Sequence, residues 1–288
     1  MLGNEIEIIR AIEGARTEFL NLLFQFITLF GEDIVMVLLI AVLYFAIDKR
    51  LAQKLFFVSM TGMCINGALK NIAKVPRPFA RGISCVREST ATGYSFPSGH
   101  TQVFASWSSI LSRHYKRVWL TVLCVVMIIL VAFSRMYLGA HYLSDVIVGA
   151  GIGVGCGILG SMVYERAANK LLLFVIVAVV ILPFVVWFTI EGNEHFEDFF
   201  KFYGMLAAFI PAYIIDNKFP LDYNVPVWKK CLRVLIVLLV ALGIKEGLKV
   251  LYIDGNVRLN LIVDMIRYAL MIFACLGICP IVFKKIKL

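Results

Sequence analysis

What most constrains this chain is a succession of apolar runs, several of them close to the ~20 residues that carry a helix across a bilayer. Nine lie near 33–48, 52–72, 100–112, 118–134, 142–164, 171–190, 199–216, 231–251 and 260–283. The 288 residues are 61% apolar and only 16% charged, with a mean hydropathy of +0.88. That is too little charge to cover a soluble protein of this size. The fold class expected is therefore all-α, a polytopic transmembrane helical bundle of about nine spans. An earlier run, Thr17 to Phe30, is fourteen residues long and ends at Gly31-Glu32-Asp33. It reads as an N-terminal interfacial or re-entrant helix.

The net charge of +9 does not point to nucleic acid, because Lys and Arg fall in short clusters between apolar runs rather than along one face. Topology accounts for them better. Lys49-Arg50 with Lys54, Arg113 with Lys116-Arg117, Arg166 with Lys170, Lys229-Lys230 with Arg233, and Lys284-Lys285 with Lys287 occupy alternate loops. Positive loops stay in the cytoplasm, which orients the bundle. A basic loop from Lys74 to Arg87 breaks that rule on the opposite side and asks for a function. The acidic N-terminus, Met1-Leu-Gly-Asn-Glu-Ile-Glu, has no signal-peptide features, so no cleavage is expected. The seven cysteines lack metal-site spacing and read as packing residues.

Three segments hold most of the unusual polar residues, and all map to the non-cytoplasmic ends of their helices. In the first, Lys70 is followed by Arg77 and Pro78, after Pro76 has ended any helix, so two cations can face one anion. In the second, Pro97-Ser98-Gly99-His100 looks like a helix start. There the N–H groups of Ser98, Gly99 and His100 would point outward unpaired, and Gly99 would let a phosphate oxygen reach the backbone. An ordinary N-cap is the competing reading of Ser98. In the third, Ser134-Arg135 precedes His141 and Asp145, which stand four residues apart on one helix face. The carboxylate can hold one imidazole nitrogen while the other attacks, with Arg135 as a third cation.

These blocks closely resemble the signature of the type 2 phosphatidic acid phosphatase superfamily, K-x6-RP, PSGH and SR-x5-H-x3-D, and every position matches. The resemblance covers about residues 60–165 and implies the family's helical core. It also implies roles: His141 forms a phosphohistidine, Asp145 orients it, and His100 protonates the leaving oxygen. Lys70, Arg77, Ser98, Gly99 and Arg135 would stabilise the transferring phosphoryl group, electrostatic work that dominates such reactions. No metal or cofactor is expected, since three cations supply the charge. The family is similar in turn to vanadium haloperoxidases, which are soluble, and the hydropathy here argues against that branch.

The chain divides in this reading into an N-terminal interfacial segment 1–32, a catalytic transmembrane core 33–165, and additional C-terminal transmembrane helices 166–288. An active site at the outer boundary suits an amphiphile whose tail stays in lipid, so the expected partner is a lipid phosphate or diphosphate in a bilayer. Undecaprenyl pyrophosphate, phosphatidic acid and phosphatidylglycerol phosphate are candidates from the family, and a bacterial plasma membrane would suit the chain. A lipid phosphotransferase remains an alternative, as does a soluble sugar phosphate, because the nine-span layout resembles that of glucose-6-phosphatases. Lys245, Glu246, Lys249, Asp264 and Arg267 are costly in lipid and are expected to face one another or a polar cavity.

Overall fold

Apolar runs broken by Gly, Pro and charged loops can satisfy their backbone in lipid only as helices, and among the described residues every regular element is helical. The structure is a computed structural model that describes residues 2–88 and 91–288, with side chains from residue 5 onward. The elements are α1 (Leu2–Gly14), α2 (Glu18–Thr28), α3 (Asp33–Val42), α4 (Lys49–Ala73), α5 (Gly99–Tyr115) and α6 (Val118–Tyr137). They continue with α7 (Leu143–Arg166), α8 (Lys170–Glu191), α9 (Glu197–Lys218), α10 (Val227–Gly247), α11 (Val257–Ile272) and α12 (Cys279–Lys285).

Length and hydropathy support five spans, Val118–Tyr137, Leu143–Arg166, Lys170–Glu191, Glu194–Lys218 and Val257–Lys285, fewer than the nine expected. A sixth is possible if Glu18–Gly31 and Asp33–Ile47, bent by 49°, form one broken span rather than a re-entrant loop. The remaining expected spans fall on α4, α5 and α10. α5 is short and α10 carries Lys229, Lys230, Arg233, Lys245 and Glu246. Most of α4 and α5 is buried, so their Gln53, Ser59, Asn66, Gln102 and Ser106 are shielded by protein. A hydropathy threshold suited to lipid-facing helices passes over such elements.

The chain packs as two compact units. The first comprises the N-terminal segment up to Met36 with Ile65–Met162, and the second Val37–Cys64 with Val163–Leu288. In the first unit α5 is the central helix. A Cβ on Gly153 would lie 2.8 Å from Ala105 Cβ, one on Gly157 2.8 Å from Ser109 Cβ, and one on Gly149 2.7 Å from the Ser98 carbonyl oxygen. This small-residue row lets α7 lie backbone to backbone against α5. Gly151 and Gly155, on the other face, have nothing within 4 Å of such a Cβ. α1 lies against this unit through Ile9, which packs with Ile83, Met136, Tyr142 and Val146.

In the second unit aromatic rings fill the space around α9. Phe174 meets Phe57, Phe209 and Tyr213 at centroid distances of 4.7, 5.1 and 5.0 Å. Buried charge there is engaged by polar partners: Lys54 reaches Glu165 at 2.9 Å, Lys49 and Gln53 both meet Asp216, and Arg233 donates to the carbonyl of Asp222 at 2.8 Å. The C-terminal charges behave in two ways. Asp264 and Arg267, both buried, form an ion pair of 2.6 Å, with the Tyr252 hydroxyl donating to Asp264 at 2.5 Å. Lys249 and Glu246 pair at 2.7 Å on the exposed side. Asp264 also lines a cavity of about 230 Å³ with Glu194, Glu197, Tyr252 and Asn260.

Candidate active site

The connection between α6 and α7 is tight enough to aim a side chain. Leu138 N–H bonds to Ser134 O at 2.9 Å, Gly139 N–H to Met136 O at 3.0 Å, and Ala140 N–H to Arg135 O at 3.0 Å. Gly139 takes φ 79°, in the left-handed region, and a Cβ there would run into the Ser84 carbonyl and the Arg16 guanidinium. Only glycine meets both demands. The turn sets His141 just before α7, 1% exposed.

Its two ring nitrogens have opposite neighbours. Nδ1 faces Asp145 Oδ2 at 3.3 Å, while Nε2 lies 3.1 Å from Arg77 Nη1. A guanidinium can only donate, so Nε2 is the acceptor and the ring proton sits on Nδ1, towards the carboxylate. Asp145 is itself held, accepting from the Ser95 hydroxyl at 2.5 Å and from Tyr142 N–H at 2.8 Å. Burial first, then the charges of Arg77, Arg135 and Lys70, hold the His141 imidazole well below its ordinary pKa of 6.5, in the neutral form. Arg77, 4% exposed, is fixed by the carbonyls of Gly93 at 2.9 Å and Ala140 at 3.0 Å, and by that of Thr92.

His100, the second residue of α5, lies within electrostatic reach of His141 in the same cup of cations. Its Nε2 is buried and has no hydrogen-bond partner among the described residues. Gly31 touches its backbone, since a Cβ at Gly31 would be 2.8 Å from His100 O and 2.9 Å from His100 Cβ. Lys70, Arg77 and Arg135 lie within electrostatic reach of both imidazoles. Arg135 is fully buried and donates to the Thr28 hydroxyl at 3.0 Å. The structure thus brings Lys70, Arg77, His100, Arg135, His141 and Asp145 together within the first unit.

Ser98 departs from expectation. Its N–H does not point outward unpaired but donates to the Asp145 carbonyl at 3.0 Å, and its hydroxyl meets Thr101 Oγ1 at 3.0 Å. The reason is the close seat of α7: Gly149 lies against Ser98, which brings the first turn of α7 within reach of that N–H. Gly99 and His100 keep first-turn N–H groups that no helical carbonyl can accept. Asn66 supports the turn from α4, donating to Pro97 O at 3.3 Å and to Gln102 Oε1 at 2.8 Å.

Several residues of the site carry no local sequence signal. Ser95 is an ordinary serine until the fold sets it on Asp145. From α1 and its end, Glu5 accepts from Ser144 N–H and hydroxyl at 3.1 and 2.9 Å, and Arg16 donates to Tyr137 O at 2.8 Å. These contacts strap both ends of the His141 turn.

His141 is thus a buried imidazole with a carboxylate at one ring nitrogen and a guanidinium at the other. Residues 51–169 match the PAP2 superfamily, and residues 200–288 match the PAP2 superfamily phosphatase transmembrane extension. The chain belongs to the PAP2 superfamily and is an integral membrane protein. It is 28% identical over 155 residues to dolichyldiphosphatase of Saccharomyces cerevisiae, an alignment covering 49% of this chain and 63% of that one. It is 26% identical over 150 residues to undecaprenyl-diphosphatase of Sulfolobus acidocaldarius, covering 51% and 72%. The crystal structure of Aquifex aeolicus LpxE aligns with a TM-score of 0.49 at 27% identity, covering 55% of this chain and 94% of that one. The chain spans less than two thirds of the yeast relative's length. These homologues are phosphatases of the PAP2 family.

Proposed function

We propose that this chain hydrolyses a lipid phosphate or diphosphate through a phosphohistidine on His141, at the non-cytoplasmic face of the bilayer. The observation that carries the reading is the placement of His141, with Asp145 on Nδ1 and the cation Arg77 3.1 Å from Nε2. That arrangement leaves the lone pair on the nitrogen where an anion would bind. A phosphate entering the cup takes over the Arg77 donor and exposes Nε2 to phosphorus. Lys70, Arg77 and Arg135, with first-turn N–H groups of α5, neutralise the charge on the equatorial oxygens. The Nε2–P bond forms as the P–O bond to the leaving group breaks, and His100 delivers a proton to the departing oxygen. Water then attacks the phosphohistidine, with His100 taking its proton, and inorganic phosphate leaves.

The lipid class is supported by the transmembrane setting and by relatives named as diphosphatases of dolichyl and undecaprenyl lipids. The basic loops on the opposite side from Lys70, His100 and His141 support the orientation. The test is release of inorganic phosphate by the purified protein from a panel of lipid phosphates and diphosphates, with chelator present. We expect release that needs neither an acceptor alcohol nor added metal. Release only when an acceptor alcohol is supplied would make the chain a transferase instead.

A further inference from the structure

The basic loop from Lys74 to Arg87 lies on the side where positive charge is disfavoured. Arg77 is absorbed by the cup. Arg87, at the loop's far end, is brought to the same place by contacts that include two among the described residues. Its neighbour Val86 donates its N–H to the carbonyl of Leu138, three residues before His141, at 3.0 Å. Its own Nη1 pairs with Glu32 Oε1 at 2.6 Å, and Glu32 directly follows Gly31, the residue that touches His100. Arg87 lies within electrostatic reach of both His100 and Arg135. Its side chain is 28% exposed, whereas Arg77 and Arg135 are buried, so it is the more accessible of these cations.

We propose that Arg87 binds the second phosphate of a lipid diphosphate, beside the leaving-group acid His100, and so sets a preference for diphosphates over monophosphate esters. This rests on the phosphatase reading above and names the substrate class of the same site. When Nε2 of His141 attacks the terminal phosphorus of a diphosphate, the P–O bond to the bridging oxygen breaks and its electron pair leaves with that oxygen. The departing group is a lipid monophosphate, which carries anionic oxygens of its own. Lys70, Arg77 and Arg135 are occupied by the transferred group, so the planar fork of a further guanidinium on the His100 side can grip two oxygens of the tetrahedral leaving phosphate. A monophosphate ester places only an alkyl oxygen there. Glu32 holds the guanidinium in place before substrate arrives, and the incoming phosphate competes with this carboxylate for it.

The test compares kcat/KM of the full-length protein in one detergent for an isoprenyl diphosphate and the isoprenyl monophosphate of the same chain length. The monophosphate rate normalises each preparation for correctly folded enzyme. Wild type should favour the diphosphate, and Arg87→Ala should lower the ratio by about 10- to 100-fold, the range for loss of a charge-assisted hydrogen bond. Arg87→Lys, which keeps charge but not the fork, should fall between. Glu32→Gln removes the competitor and should raise the ratio. An unchanged ratio in Arg87→Ala, or equal loss on both substrates, overturns the proposal. So does a wild type that prefers the monophosphate, although the phosphatase reading would stand. A wild type that releases phosphate from neither overturns both.

Discussion

Arg77 and His141 meet at the one nitrogen that has to be unprotonated for attack, and this has a consequence in pH. Burial and nearby cations lower the His141 pKa below 6.5, so the neutral nucleophile persists as pH falls through that value. The acid limb of kcat/KM assigned to His141 should therefore lie below pH 6.5. Arg77→Gln removes one of the charges that depress the pKa, so besides losing activity it should move that limb to higher pH. A limb that stays in place would show that the guanidinium does not act on the imidazole. The two histidines should also separate by leaving group. His100→Ala should lose about a hundredfold to ten-thousandfold on alkyl monoesters, the usual worth of general acid catalysis, and much less on an aryl phosphate. Equal losses on both would deny His100 the acid role.

At the scale of elements, the site depends on how closely α7 lies on α5. Gly149, Gly153 and Gly157 form the face that permits it, and Ser98 and Asp145 become hydrogen-bonded across the same junction. Gly153→Ala would press its methyl into the Gln102 carbonyl oxygen and to 2.8 Å from Ala105 Cβ, and should cost about 1–3 kcal/mol by overpacking. Gly151→Ala, two residues away with nothing within 4 Å, should be neutral or stabilise by up to about 1 kcal/mol through helix propensity. Thermal unfolding of the two variants in one detergent checks this contrast. Equal stability of the pair would mean that the helices are not seated as described. The N-terminal segment matters for the same reason, since Glu5 and Arg16 hold the residues that flank the α6–α7 turn and Thr28 holds Arg135.

Taken as a whole molecule, the chain shows which features are written locally and which arise only on folding. Helical class and membrane residence were legible because hydropathy accumulates along each run. So were the positions of Lys70, Arg77, His100, Arg135, His141 and Asp145, because unusual polar residues at helix ends stand out against an apolar background. Ser95, Glu32 and Arg16 were not, since each matters through a partner at least 50 residues away, or in a separate loop, and nothing local marks it. The engagement of the Ser98 N–H was also hidden, because it depends on the approach of α7. Nor could a linear reading show two units that each draw on separate stretches of chain, Ile65–Met162 in one and Val163–Leu288 in the other.

If phosphorus becomes bonded to His141, that bond can be trapped. Wild-type protein and His141→Ala would be mixed with a substrate labelled in the transferred phosphate, quenched rapidly under alkaline conditions that preserve phosphohistidine, and mapped for the labelled residue. Acid-labile label is expected on His141 in the wild type and none on His141→Ala with any substrate, because among the described residues no other side chain of the cup is set to attack. Label on His100, or label that survives in His141→Ala, would contradict His141 as the nucleophile.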